Sequence, residues 1–337
     1  MHLIQFWQMA VIWYAVINLG GFIAFALDKH FAKTGKRRIM ERDLILLALL
    51  GGAFGCLLGM ILCHHKTRKR KFQIAIPAFV IWYLFLIPFL TYQNNNLVIT
   101  RYDTGTSQGL RVVQISDLHN TVIMWDKERI ARETGALDPD IIVITGDIVD
   151  SYHTDIDSAL HTAAGLAKIA PVYYVTGNHE YRLSDTDLKK LTDGLASAGV
   201  TVLSDSYEIR NDGGSAYALI GLNDTSLGDG TLPELVKQAR SEAGSDIKTV
   251  VLAHEPQYID SYSESGADIV FAGHAHGGQI VCPGIGPLIA PDQWFFPKYT
   301  TGIIEKGNTK MIISRGLGNS ALPFRINDYP EIVVGEI

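Results

Sequence analysis

Three short runs decide the fold: RVVQISD (111–117), DIIVITGD (140–147) and VYYVTGN (172–178). Each is rich in apolar, β-branched or aromatic residues and ends on a carboxylate or an amide, which is the pattern of a buried strand running into a polar loop. Helices are expected between them, near 126–137 and 155–169, and further strands at 215–224, 247–255 and 267–274. Strands and helices alternating in this way build an α/β domain, whose reactive side chains gather on loops at the carboxyl ends of the strands.

The front of the chain reads differently. With 337 residues two units are expected, and the hydrophobic share of 47%, charged share of 19% and mean hydropathy of +0.13 exclude a disordered or collagen-like chain. Residues 1–99 hold eleven of the 29 basic residues and three of the 35 acidic ones, a net +8, which leaves the remainder at −14. So acidic a remainder argues against a nucleic-acid partner. Met1–Leu27, Leu44–Cys63 and Phe72–Thr100 lack charge, and the middle one shows no polar stripe. About 20 apolar residues cross a hydrocarbon core of ~30 Å, so three membrane-embedded helices are expected in a multi-pass membrane protein. Gly51, Gly55 and Gly59 share one helical face and suit close packing. The connections at 28–43 and 64–71 are both basic, so one crossing between them would leave a basic connection outside. A re-entrant middle segment would keep both inside and place the C-terminal domain on the outer face, which is the expected sidedness.

Cys56 and Cys63 lie in the middle apolar segment and Cys282 stands alone, so any metal site must use nitrogen and oxygen. Such donors sit at the strand ends. Asp117 and His119 follow the first run as D-x-H, Asp147 ends the second in GDIVD, and Asn178 and His179 end the third in GNHE. His254 closes another in AHEP, and His274 and His276 follow the next in GHAHGGQ. Carboxylate, amide and imidazole together suit Mn, Fe or Zn more than a calcium cage.

This ordered set resembles the calcineurin-like metallophosphoesterase family, in particular its membrane-anchored bacterial branch. SRGLGNSALPFR (314–325) and YPEI (329–332) extend the likeness, while GFIAFALDKHFA, RRIMERDL and HHKTRK resemble a small bacterial membrane domain of unknown function. The resemblance implies a membrane domain over 1–95, a linker over 96–109 and a metallophosphoesterase domain over 110–337, an α/β sandwich of two β-sheets flanked by helices. It implies two divalent ions, one on Asp117, His119, Asp147 and His276 and the other on Asp147, Asn178, His254 and His274, with Asp147 bridging. A metal-activated hydroxide would attack phosphorus, and catalytic His179, oriented by Asp150, would serve the leaving oxygen. Arg315 and Arg325, with Arg182, are candidates for binding substrate phosphate, salt bridges being the alternative. Trp294, Phe295 and Phe296 read as core or as a lip that meets lipid. The expected activity is that of a membrane-tethered phosphodiesterase or phosphatase acting on a phosphoester or pyrophosphate, with lipid-linked or envelope substrates among the candidates. The alternative is a membrane sensor or binding protein whose metal site is structural or ligand-binding.

Overall fold

The computed structural model describes residues 2–105, 109–121, 126, 128–212, 216–319 and 322–337, with side chains from Val11 onward. The chain divides into two compact units, Met1–Leu90 and Thr91–Ile337.

In the second unit two six-stranded sheets face each other. The first runs, in spatial order, β1 (Val98–Asp103), β16 (Glu331–Glu336), β2 (Arg111–Ile115), β3 (Ile141–Thr145), β4 (Val172–Val175) and β5 (Val200–Val202). The second runs β14 (Gly302–Lys306), β15 (Thr309–Ile313), β9 (Ile269–Ala272), β8 (Lys248–Leu252), β7 (Tyr217–Gly221) and β6 (Ser206–Arg210). From β2 to β5 every pairing is parallel, as is every pairing from β7 through β8 and β9 to β15.

The central strands are mostly apolar because both of their faces are buried. Val112, Ile141, Val143, Tyr173 and Val175 point between the sheets, against Leu219, Val250, Leu252, Phe271 and Ile312. Their sequence neighbours Val113, Ile142, Ile144 and Tyr174 point outward, under α5 (Arg129–Gly135), α6 (Ile156–Leu166) and α7 (Asp185–Ser197). A third cluster lies beneath α8 (Thr231–Ala243) and α9 (Ile259–Glu264). At about 1.5–3 kcal/mol for each fully buried aliphatic side chain, both faces contribute to holding the strand ends still.

The expected α/β sandwich is therefore the fold, with two boundaries corrected. Val98–Asp103, expected in a linker, is strand β1, paired along its whole length with β16; its half-buried alternation of Val, Thr and Tyr with exposed residues lacks the apolar run that marks the central strands. The helix expected near 126–137 is α5, which starts at Arg129, and Lys127 lies outside the described residues.

The first unit comprises α1 (His2–Thr34), a broken helical pair and most of α4 (Arg70–Asn95), the helix that runs on into the second unit. Val11–Thr34, Glu41–Leu62 and Arg70–Asn95 are each long and apolar enough to cross a membrane. The middle stretch is broken: α2 (Glu41–Leu47) and α3 (Ala53–Leu62) are separated by a π-helical turn over Ala48–Gly52, where Gly51 has φ 117°. Asn18 clamps the break, donating to the Gly51 carbonyl at 3.0 Å and accepting from the Gly55 amide at 2.8 Å. A Cβ on Gly55 would lie 1.7 Å from the Asn18 carbonyl oxygen, so only glycine permits this approach. Tyr83 donates to the Leu49 carbonyl, so the freed backbone groups find partners within the apolar unit.

The two arms return to one end. Glu41, at the start of α2, binds Lys66 at 2.8 Å, and Lys69 and Lys71 as well. Past the end of α3, His65 meets the buried Asp28 carboxylate of α1 at 2.7 Å, and Arg38 meets the same carboxylate at 2.8 Å. Asn18 at the break and Asp28 at the mouth are ten residues apart on α1, about 15 Å, or half of a ~30 Å hydrocarbon layer.

Candidate metal centre

The strand ends bring the D-x-H, GD, GNHE, AHEP and GHAH motifs to one buried cluster. Asp117, His119 and His276 could hold one cation, and Asp147, His254 and His274 another; in both groups all three donor atoms lie within 4.8 Å of one another. Asp147 Oδ2 stands between them, 3.5 Å from His119 Nε2 and 3.2 Å from His254 Nε2. Its Oδ1 accepts from the His179 amide at 2.8 Å, which fixes the carboxylate and leaves Oδ2 turned to the cluster.

The backbone is bent to aim these groups. Asp117, His119, Asp147, His274 and His276 all have φ between 45° and 65°, a region that costs non-glycine residues on the order of 1–2 kcal/mol each. Beside them Gly146 has φ 84°, and a Cβ there would lie 2.6 Å from His254 Nδ1.

The hydrogen bonds also select tautomers. His254 Nδ1 donates to the Thr145 carbonyl at 2.8 Å, leaving the Nε2 lone pair for the cluster. His274 Nε2 donates to Asp292 Oδ2 at 2.8 Å, leaving Nδ1 facing His254 Nε2 at 3.1 Å. His119 and His276 approach through their Nε2 atoms at 3.2 Å. The Asn178 oxygen faces His254 Nε2 at 3.2 Å, with Asp147 Oδ2 and His274 Nδ1 at 3.1 and 3.2 Å. Lone pairs so converged repel one another unless a cation sits among them; without one the amide gains by turning over to donate. The donor set therefore fits divalent ions of the Mn, Fe or Zn type.

Charge follows the same logic. Burial alone would raise the Asp147 carboxyl, but the imidazoles of His254, His119 and His179 outweigh it and hold the group well below the usual carboxylate range. Burial pushes His119 and His276 down, toward the neutral form a metal ligand needs, whereas at His254 burial is outweighed by the Asp147 carboxylate, which raises it in the absence of a cation. For His179 burial is outweighed by the Asp150 and Asp147 carboxylates, which raise it. Its Nδ1 lies 3.1 Å from the Ser151 amide and 3.6 Å from Asp150, and its Nε2 lies 3.4 Å from Arg182.

Two sequence expectations change. Arg325 is fully buried and donates to Asp328 at 2.6 Å and to the carbonyls of Arg315 and Gly318; Arg315 is held by Glu331 at 2.8 Å. Both buttress the loop carrying His276, where a Cβ on Gly277 would strike Asp328 and Arg315, and both guanidinium groups are paired with carboxylates, Arg325 out of reach of solvent. His153 and His161 lie at the surface, His161 paired with Glu128 at 2.7 Å. Two residues beyond the motif reading emerge. Asp292 supports His274, and Glu180 accepts from the amides of Gly177, Asp147 and Val149 at 2.7, 2.8 and 3.2 Å. Glu180 was visible as the last letter of GNHE, whereas nothing around Asp292 in the sequence marks it.

Residues 110–278, half of the chain, match the family described as calcineurin-like phosphoesterase. The chain belongs to that family. The calcineurin-like phosphoesterase region accordingly makes it a metal-dependent hydrolase of phosphoesters using divalent ions. Residues 18–72 match a protein family of unknown function, DUF1294. Among similar phosphoesterases, the uncharacterised metallophosphoesterase YkuE of Bacillus subtilis is 30% identical over 67% of this chain and 78% of its own length. The phosphodiesterase YaeI of Escherichia coli is 28% identical over 59% of this chain and 70% of its own. A transmembrane protein with metallophosphoesterase domain from Bos taurus is 26% identical over 79% of this chain and 63% of its own.

Proposed function

We propose that this protein is a membrane-tethered phosphoesterase with a two-metal site. The observation that carries the reading is the single oxygen, Asp147 Oδ2, shared by two donor sets. Asp117, His119, Asp147 and His276 would hold one ion, and Asp147, Asn178, His254 and His274 the other. When bound, such ions lower the pKa of coordinated water and neutralise charge on the phosphoryl oxygens. The chain's own residues supply the rest. His179, raised by its carboxylate neighbours, holds a proton on Nε2 for the departing oxygen, Asp150 and Ser151 orient its ring, and Arg182 beside it offers charge to the phosphoryl group.

The tether follows from the first unit. Because α2 and α3 return to the end from which they start, we read them as a re-entrant hairpin and only α1 and α4 as crossings. Both basic connections then share one side, the cytoplasmic one by the positive-inside tendency, and α4 carries the chain out to the other face. Alkaline phosphatase fused after Thr100 is expected to be active in intact cells; an inactive fusion with a fluorescent green fluorescent protein counterpart would reverse the sidedness.

The activity test uses the full chain in detergent, titrated with Mn²⁺ against a chromogenic phosphodiester and a phosphomonoester. Cleavage that both Asp147→Asn and His179→Ala abolish is the expected result. Two bound metals with neither ester cleaved would favour the binding-protein alternative.

A further inference from the structure

Building on the phosphoesterase reading, we propose that residues 281–296 form a tongue whose exposed aromatic edge enters the lipid surface, so that the metal site works on the head group of a membrane phospholipid. The tongue consists of two small hairpins, β10 (Val281–Cys282) with β11 (Gly286–Pro287) and β12 (Ile289–Ala290) with β13 (Trp294–Phe295). On its last strand and just beyond it, Trp294, Phe295 and Phe296 are 74%, 71% and 65% exposed. A strand would alternate these rings between its two faces. Here Trp294 and Phe296 both take φ of 56°, a conformation rare for bulky residues, and all three rings face outward. Strained backbone that exposes three large aromatic side chains points to a use for them.

Two connections identify the occupant as lipid. At the turn of the second hairpin, Asp292, two residues before Trp294, holds His274 of the metal cluster, so whatever seats the aromatic edge also sets the height of the site. At the base, Ile280 pairs with Ile326, the Val281 amide donates to the Ile326 carbonyl at 2.9 Å, and Asn327 donates back to Val281 at 3.1 Å. That same segment receives the last turn of α4: Asn94 accepts from the Arg325 amide at 2.8 Å and Gln93 from the Asn327 amide at 3.1 Å. The tongue is thus rooted on the segment that holds the last turn of the apolar helix α4, and Trp and Phe are residues that settle at a membrane–water interface. A substrate whose acyl chains stay in the bilayer would present its phosphoester at the foot of the tongue.

The test uses the full chain in nanodiscs containing phosphatidylglycerol and brominated phosphatidylcholine. Trp294 fluorescence, taken as the difference between wild type and Trp294→Phe, is expected to be quenched by the brominated acyl chains; an unquenched difference spectrum overturns the insertion. With Mn²⁺ present, the triple variant Trp294→Ser, Phe295→Ser, Phe296→Ser is expected to lose at least tenfold in phosphatidylglycerol hydrolysis while cleaving bis(p-nitrophenyl) phosphate at the wild-type rate. Equal loss on both substrates, or on neither, overturns the proposal, and a wild type that cleaves only the soluble ester overturns its lipid-substrate half. Quenching needs no catalysis, so failed insertion is distinguishable from failure of the phosphoesterase reading, which would appear as no cleavage of either ester.

Discussion

Each unit buries a cluster of ionisable side chains, and the two clusters differ in what completes them. In the first unit the Asp28 carboxylate is enclosed by Arg38, His65, Lys66 and the Ile39 amide, so every lone pair meets a donor. In the second, the lone pairs of Asp147, His254, His274 and the Asn178 oxygen point at one another. A closed cluster fixes a structure, while an open one reserves a place for a cation; buried charge alone does not separate a strut from a site.

Asp147→Asn should break this contrast most sharply. It is expected to lower kcat/KM by roughly 10³-fold or more and to reduce bound metal, beyond the ~10–100-fold typical of a residue that merely supports a ligand. Plasma emission analysis of the purified variant and steady-state kinetics check both. Asp28→Asn should do the reverse, leaving metal content and kcat/KM on a soluble ester intact while destabilising the first unit by about 3–5 kcal/mol, as when a buried ion pair loses one partner. Heat-dependent maleimide labelling of Cys56, buried in that unit, would report it, and unchanged labelling would remove Asp28 from the role of strut.

Between these extremes stands Asp292→Asn, expected to weaken metal affinity about 10–100-fold, measurable by competition with a chelating dye, with the fold unchanged by circular dichroism. The smallest effect concerns Asp268, where burial is outweighed by Lys248 and the Thr249 amide and hydroxyl, so its carboxyl is lowered. A group depressed on folding adds stability above its unfolded value near 4, and that stability fades as pH falls through the lower folded value. Asp268→Asn should therefore cost about 1 kcal/mol at neutral pH and nothing at strongly acid pH, as read from urea midpoints across pH.

The sequence made the second unit legible where each strand touches two cores, because β2, β3 and β4 carry apolar residues on both faces and so announced both themselves and the polar residues that follow them. β1 escaped because it lies at a sheet edge with one face half-open, where Thr100 and Arg101 read like a linker. Arg315 and Arg325 stayed open in the sequence because a guanidinium pairs equally well with phosphate or with Glu331 and Asp328, and for Arg325 burial favours the salt bridge. The broken helical hairpin was half visible: the glycines were evident, but that Glu41 and His65 come back to one end depends on contacts across more than twenty residues.

Glu180 carries a consequence for motion. A single carboxylate, pushed up to about 7 by burial and by the charge of Asp147, collects the amides at 147, 149 and 177 from the loops that follow β3 and β4. Neither loop can lift away without releasing the other, so these three amide protons should exchange with deuterium in one shared opening event, and the two halves of the metal cradle breathe as a single hinge.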